Sequence, residues 1–213
     1  MGIVVVETSR RSAGAVLVAT ARGGHGVDPS APSPFAFAEA ADGRFVACLC
    51  DGLDDSSDAL AARHDAARDA VLACARPRTA VAESISWGLD PTSSAALVVA
   101  ASGGVHVGWT GAVEVIVVRD QAVLHRTVSR AMASTASTLR LPGIDLAGPW
   151  TTAAGDLVLL CSANVQRLLS EADVIALASR DDLATIVRGL VTTASTRAEL
   201  VAACAIALRI ASP

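Results

Sequence analysis

The sequence predicts an α+β fold in which two antiparallel sheets pack together with helices on their outer faces. Three observations point there. The chain has 213 residues, 52% of them hydrophobic and only 18% charged, the size and balance of one globular domain (residues 1–213) with a substantial core. Its apolar runs are short and stop abruptly at Gly, Asp, Pro or Ser, as buried strands do. In order they give strands, a helix, four short strands, a long loop, a strand, two helices and a final strand.

Residues 3–6 and 14–20 read as two strands around the polar turn Ser9-Arg10-Arg11-Ser12. Residues 22–34 are rich in Gly, Pro and Ser and are expected to be loop. Residues 35–38 and 44–50 flank Asp42-Gly43, the signature of a hairpin. The second arm, from Phe45 to Cys50, is wholly apolar and ends in Asp51-Gly52, where the glycine is expected to let the backbone turn. Residues 57–75 read as a helix with Leu60, His64, Ala67, Val71 and Leu72 along one stripe, ended by Arg76-Pro77. Residues 78–92 give no clear element before the turn at Asp90-Pro91.

Residues 95–101, 105–109, 113–119 and 122–127 are short strands separated by Gly103-Gly104, Thr110-Gly111 and Asp120-Gln121, a spacing that predicts a β-meander. Residues 129–150 carry few apolar side chains and read as a long loop or weak helix, a natural contact surface. Gly155-Asp156 opens a buried strand over 157–161 that stops at Ser162-Ala163-Asn164. Two helices follow. Ser170 with Asp173 three residues on caps one, and the other spans about 181–193. Residues 199–210 form the last strand.

The charge balance narrows the function. Seventeen basic and 21 acidic residues leave a net charge of −4, with no basic patch and interleaved aromatics for nucleic acid. Every non-histidine cation is arginine and Tyr is absent, a bias expected of a high-GC bacterial genome. No uninterrupted apolar stretch reaches membrane-span length, and the N-terminus lacks the basic region of a signal peptide. A cytoplasmic protein with buried free thiols is expected from the five cysteines, whose spacing has no framework. Cys48-x-Cys50 places two thiols on one strand face, but no second pair completes a zinc site.

The chemistry-bearing stretch is the acidic run after Cys50. Asp51, Gly52, Asp54 and Asp55, with Asp58 beyond, gather carboxylates at the end of a buried strand. Crowded carboxylates suit an oxygen-loving Mg²⁺ or Mn²⁺. The same residues are equally natural as a turn and helix cap.

Four stretches resemble the metal-dependent protein phosphatases of the 2C type, covering most of residues 14–210. RFVACLCDGL is similar to that family's strand ending in Asp-Gly-Met-Gly-Gly. SSAALVVAASGGVHVGWTGAVEVIVVRDQAVLHRTVSR is similar to its strands around a Gly-Asp-Ser-Arg turn. AAGDLVLLCSANVQRLLSEADVIALA is similar to its Gly-Asp, strand, Cys-Ser-Asp-Gly-Leu, helix segment, and is the most specific match. TRAELVAACAIALRI is similar to its closing Asp-Asn strand. The resemblance implies a four-layer α-β-β-α sandwich and a site in which two Mg²⁺ or Mn²⁺ ions activate a water against a phosphate.

Carried over position by position, the resemblance retains Asp51 as bridging carboxylate and Gly52 as carbonyl donor. Asp54 and Asp55 replace the next glycines. The remaining family carboxylates fall on Ala112, on Ala163 beside Asn164, near Ala198 beside Glu199, and near Ala31 to Ser33 with Asp28 out of register. Arg22 is the candidate for the phosphate-binding arginine. Loss of three or four carboxylates should abolish a two-metal centre.

The expected function is therefore a non-catalytic binding or regulatory pseudophosphatase. No cofactor is expected, or at most one Mg²⁺ or Mn²⁺. The expected partner is a protein or phosphoprotein, such as a component of a Ser/Thr kinase pathway, with 129–150 as a candidate contact loop; Trp109 and Trp150 are candidate anchors there, though each reads first as core filler, the partner-binding residues stay open, and no nucleic acid or membrane is expected. The alternative is a weakly active or rewired metal-dependent phosphoserine/phosphothreonine phosphatase using Asp51, Asp54 and Asp55 with Glu199 or Asp28. A third reading, an N-terminal nucleophile at Thr8 or Ser9, rests on the shared sandwich architecture alone. His25 could approach Asp51; His64 reads as packed at its helix edge, while His106 and His125 lie in strands without a ligand-spaced neighbour.

Overall fold

A computed structural model of the chain describes residues 3–9, 16–24, 28, 30–52, 56–76, 80–127, 143–197 and 202–211. The elements, in chain order, are β1 (Ile3–Ser9), β2 (Val16–Gly24), β3 (Phe35–Glu39), β4 (Phe45–Asp51), α1 (Ser57–Cys74), α2 (Val81–Gly88), β5 (Ser94–Ala101), β6 (Gly104–Thr110), β7 (Glu114–Arg119), β8 (Ala122–Arg126), β9 (Asp145–Trp150), β10 (Leu157–Cys161), α3 (Ala163–Leu168), α4 (Glu171–Ala178), α5 (Leu183–Arg197) and β11 (Ala203–Ile210). They form two sheets flanked by helices, an α+β architecture. No described helix is long and apolar enough to cross a membrane.

One compact unit holds the sheet ordered β1-β2-β11-β10-β7-β8 with α3, α4 and α5. β2 pairs antiparallel with both β1 and β11, and this double pairing carries the strand through Gly23 to Gly24. Arg22 therefore lies in a central strand, not in the loop that its glycine-rich surroundings suggest. α5 lies on this sheet and buries Leu183, Ile186, Val187, Leu190, Val191 and Ala194 among Ala19, Ala21, Leu159, Ala205 and Ala207. The small residues of the strands leave room for the branched residues of the helix. α4 begins with the expected capping box of Ser170 and Asp173. Arg197 donates to the Asp173 carboxylate at 2.7 Å and to the Leu168 carbonyl at 2.7 Å, joining the end of α5 to the α3–α4 turn.

The other unit holds the sheet β3-β4-β5-β6-β9 with α1 and α2. Gly43, at φ +81°, makes the expected turn between β3 and β4. The Asp42 carboxylate fixes it by accepting from Arg44 N at 3.2 Å and Nε at 2.8 Å. Val46, Cys48 and Cys50 of β4 pack with Ala67, Ala70, Val71 and Cys74 of α1 and Ile85 of α2. Residues on the opposite face of β4, Phe45, Ala47 and Leu49, are buried as well, which is why the run is apolar at every position. All five cysteines are buried and none is in a disulfide.

Several elements differ from the sequence expectation. The predicted meander is two hairpins in different sheets: β5 and β6 belong to one, β7 and β8 to the other. Residues 145–150 form an edge strand on β6, not loop, while the rest of 129–150 up to residue 142 lies outside the described residues. An edge strand needs only one apolar face and tolerates Pro149, which has no N–H to donate. Three helices, not two, follow β10, and α2 stands in the unassigned stretch before Asp90. Leu72, placed on the buried stripe of α1, is 53% exposed; Ala70 and Cys74 are buried instead.

Gly104 shows how tightly β9 is seated. Its φ is +123°, and a Cβ there would lie 2.4 Å from the Trp150 carbonyl oxygen. Gly104→Ala should therefore lower stability by about 2 kcal/mol, through backbone strain and loss of the edge pairing. Urea denaturation should show it as a reduced midpoint.

Candidate functional site

The site is built at the end of β4. β5 pairs with β4 so that Asp51 stands opposite Ser94, and Cys50 N donates to the Pro34 carbonyl at 2.9 Å on the other edge. Burial stops at this point: Cys50 is buried, Asp51 half-buried and Gly52 exposed. The Asp51 carboxylate folds back to accept from Gly52 N at 2.9 Å. Ser56 then caps α1 by accepting from Ala59 N at 3.3 Å.

Gly52 does not serve the backbone turn expected of it, because its φ lies outside the left-handed region. It makes room for Arg63. A Cβ at position 52 would sit 2.9 Å from Arg63 Nη1, 3.3 Å from Cζ and 3.4 Å from Cδ. The arginine reaches there from the second turn of α1, with Nε donating to the Ala59 carbonyl at 3.3 Å. Its charge reaches Cys50, two residues back from Gly52 along β4. The Cys48 and Cys50 thiols share a hydrogen bond that holds Cys50 below the usual thiol value; burial opposes this and the Arg63 charge supports it. The same bond, with burial, pushes Cys48 well above that value.

Ala112 joins this end of the sheet through Ser94. Gly111, at φ +68°, packs against Ser94, and Ser94 Oγ accepts from Ala112 N at 3.0 Å. Asp51, Ser94 and Ala112 are thus linked by register and one hydrogen bond. Where the resemblance implies a carboxylate, Ala112 offers a methyl group.

Arg22 is buried in β2 and donates through Nη2 to the carbonyls of Ala31 and, at 3.0 Å, Asp28. It staples the segment that follows β2. The exposed Asp28 carboxylate accepts from Ser30 N at 2.8 Å and Oγ at 2.7 Å, and these bonds, more than the Arg22 charge, hold its pKa below the ordinary value. Residues 31–33 place no carboxylate beside it; the carbonyl of Ser33 lies 2.9 Å from His64 Nδ1, which fixes His64 at the helix edge as expected.

At the end of β10, Ser162 Oγ accepts from Cys204 N at 3.0 Å. Asn164 donates to the Ala202 carbonyl at 2.7 Å, committing its amide to the start of β11. Ala163 between them begins α3. Asp54, Asp55, His25, Ala198 and Glu199 lie outside the described residues. Trp109 and Trp150 are half-buried in β6 and β9. Thr8 and Ser9 close β1, after residues 3–7 already paired with β2.

Of the positions that the resemblance assigns to metal ligands, Ala112 and Ala163 have no ligand atom in their side chains. Among the described residues, no group of three or more His, Cys, Asp or Glu side chains is placed to hold a metal ion. The Arg63 guanidinium places a cation beside Gly52. Sequence reading missed Arg63 because nothing local connects it to Gly52. The space that a missing Cβ leaves becomes visible only in three dimensions.

No family model and no curated protein matches the chain by sequence. Solved structures match it along nearly its whole length. A Streptococcus agalactiae (S. agalactiae) serine/threonine phosphatase is 13% identical, with a TM-score of 0.66 over 99% of this chain and 100% of its own. The PPM Ser-Thr phosphatase MsPP from Mycobacterium smegmatis, solved in complex with cacodylate, is 18% identical, with a TM-score of 0.60 over 94% and 100%. The catalytic domain of the serine/threonine protein phosphatase PstP, solved with 2 manganese ions, is 10% identical, with a TM-score of 0.60 over 99% of each chain. At these identities the likeness establishes the fold: two antiparallel sheets flanked by helices, of the protein phosphatase 2C type.

Proposed function

We propose that residues 1–213 form a single phosphatase-2C-like domain that has given up hydrolysis and acts as a binding or regulatory pseudophosphatase. One observation carries this reading. Asp51 and Gly52 stand at the end of β4, while the resemblance assigns Ala112 and Ala163 to positions where the family carries carboxylates. Without those ligands the charge of two divalent ions goes unbalanced. The partner is a protein or a phosphorylated segment of one, of the kind handled in Ser/Thr kinase signalling. Residues 129–150 are the proposed contact stretch, supported by the edge position of β9 and by Leu146, 46% exposed on it.

The competing reading is a weak Mn²⁺- or Mg²⁺-dependent phosphatase, for which Asp51 with Asp54 and Asp55 is the supporting feature. Hydrolysis of p-nitrophenyl phosphate with millimolar Mn²⁺ separates the two, comparing wild type with Asp51→Ala. The expected result is no Mn²⁺-dependent turnover above that of Asp51→Ala. Turnover in wild type that disappears in the variant would overturn the binding role.

A further inference from the structure

We propose that Arg63 is a built-in cation at the end of β4, stationed in place of a divalent ion and excluding one. This inference deepens the binding reading above and rests on it. Two observations meet at this point. The guanidinium packs directly on Gly52, with Nη1, Cζ and Cδ all within 3.4 Å of where a Cβ would be. Its Nε is held by the Ala59 carbonyl in the first turn of α1, which directs the side chain back toward the strand end.

The arrangement gives Gly52 a physical role of its own. In a metal centre the glycine would contribute a carbonyl oxygen. Here it has an ordinary φ and an absent side chain, and the absent side chain is what admits Arg63. An arginine from the same chain brings a positive charge to Gly52, next to Asp51, without the two or three additional ligands that a bound ion would demand. The charge is also permanent, since guanidinium keeps its proton at any pH a protein meets. The site would then stay electrically complete whatever the concentration of divalent ions.

The test is Mn²⁺ binding to the full chain, read from the electron paramagnetic resonance signal of free Mn²⁺. Wild type should bind no tighter than millimolar. Arg63→Met removes the charge, keeps an apolar stem, and should tighten binding by about tenfold or more, because one repelling charge is gone. Arg63→Lys keeps the charge and should remain as weak as wild type. Gly52→Ala is an independent route to the same end, since its methyl group displaces only the flexible end of the arginine; it should also tighten binding. Adding Asp51→Asn to Arg63→Met should abolish the gain. Circular dichroism reports whether each variant is folded.

The inference is overturned if folded Arg63→Met binds Mn²⁺ as weakly as wild type, if Arg63→Lys gains as much as Arg63→Met, or if the gain survives Asp51→Asn. Micromolar binding by wild type without turnover would overturn the inference and leave the binding role standing. Mn²⁺-dependent wild-type turnover would overturn both.

Discussion

Asp156→Ala should destabilise the fold by about 3 kcal/mol, measured by urea denaturation at neutral pH. Asp156 is 1% exposed yet ionised, and it is engaged on every side. Its two oxygens accept from Arg119 Nε and Nη2, each at 2.7 Å, and Oδ2 also accepts from Ala153 N at 2.7 Å. Its backbone carbonyl accepts from Ile210 N at 2.9 Å, so the residue ties the start of β10 to the end of β11. Removing the carboxylate strands three N–H donors, and the loss of one partner from a buried pair typically costs 3–5 kcal/mol. The lower end applies because Arg119 is about a third exposed and can recruit water.

The same residue sets a pH dependence. Burial by itself would raise the Asp156 pKa, but the Arg119 guanidinium and the Ala153 N–H outweigh it, and the net displacement is below the ordinary 3.8. A carboxylate with a lowered folded pKa releases its proton more readily in the folded state. Its contribution is complete above the unfolded value and is lost as pH falls through the folded value. Stability should therefore decline as pH drops below about 4. Asp156→Asn should flatten that decline.

Leu190→Ala is expected to have an effect of similar size, about 3 kcal/mol, again as a lowered urea midpoint. Leu190 is fully buried, and it packs in the cluster that α5 makes on β2 and β11. The truncation loses the transfer energy of the removed carbons and leaves a cavity, together usually 2–5 kcal/mol. Collapse around that cavity is limited, because Ala19, Ala21, Ala205 and Ala207 on the facing strands have no side chain long enough to follow the helix inward. The neighbouring exposed Arg188→Ala should change the midpoint little.

The sequence by itself determined the elements whose cause is local. The apolar run of β4, the Asp42-Gly43 turn and the Ser170–Asp173 capping box were legible because burial pattern, turn geometry and capping each act within a few residues. So was the resemblance to the phosphatase 2C type, whose fold the structure bears out, with Asp51 at the end of a strand. The edge strand β9 was not legible, since a strand with one partner needs little apolar content. Nor was the assignment of β5–β6 and β7–β8 to different sheets, because the period-two pattern that marks a strand says nothing about its neighbours. Only the tertiary structure joined Arg119 to Asp156 and brought Arg63 over Gly52. The first pairing joins residues 37 apart in the chain, and the second depends on how α1 folds back on β4 and on the empty volume beside a glycine, which no local sequence pattern records.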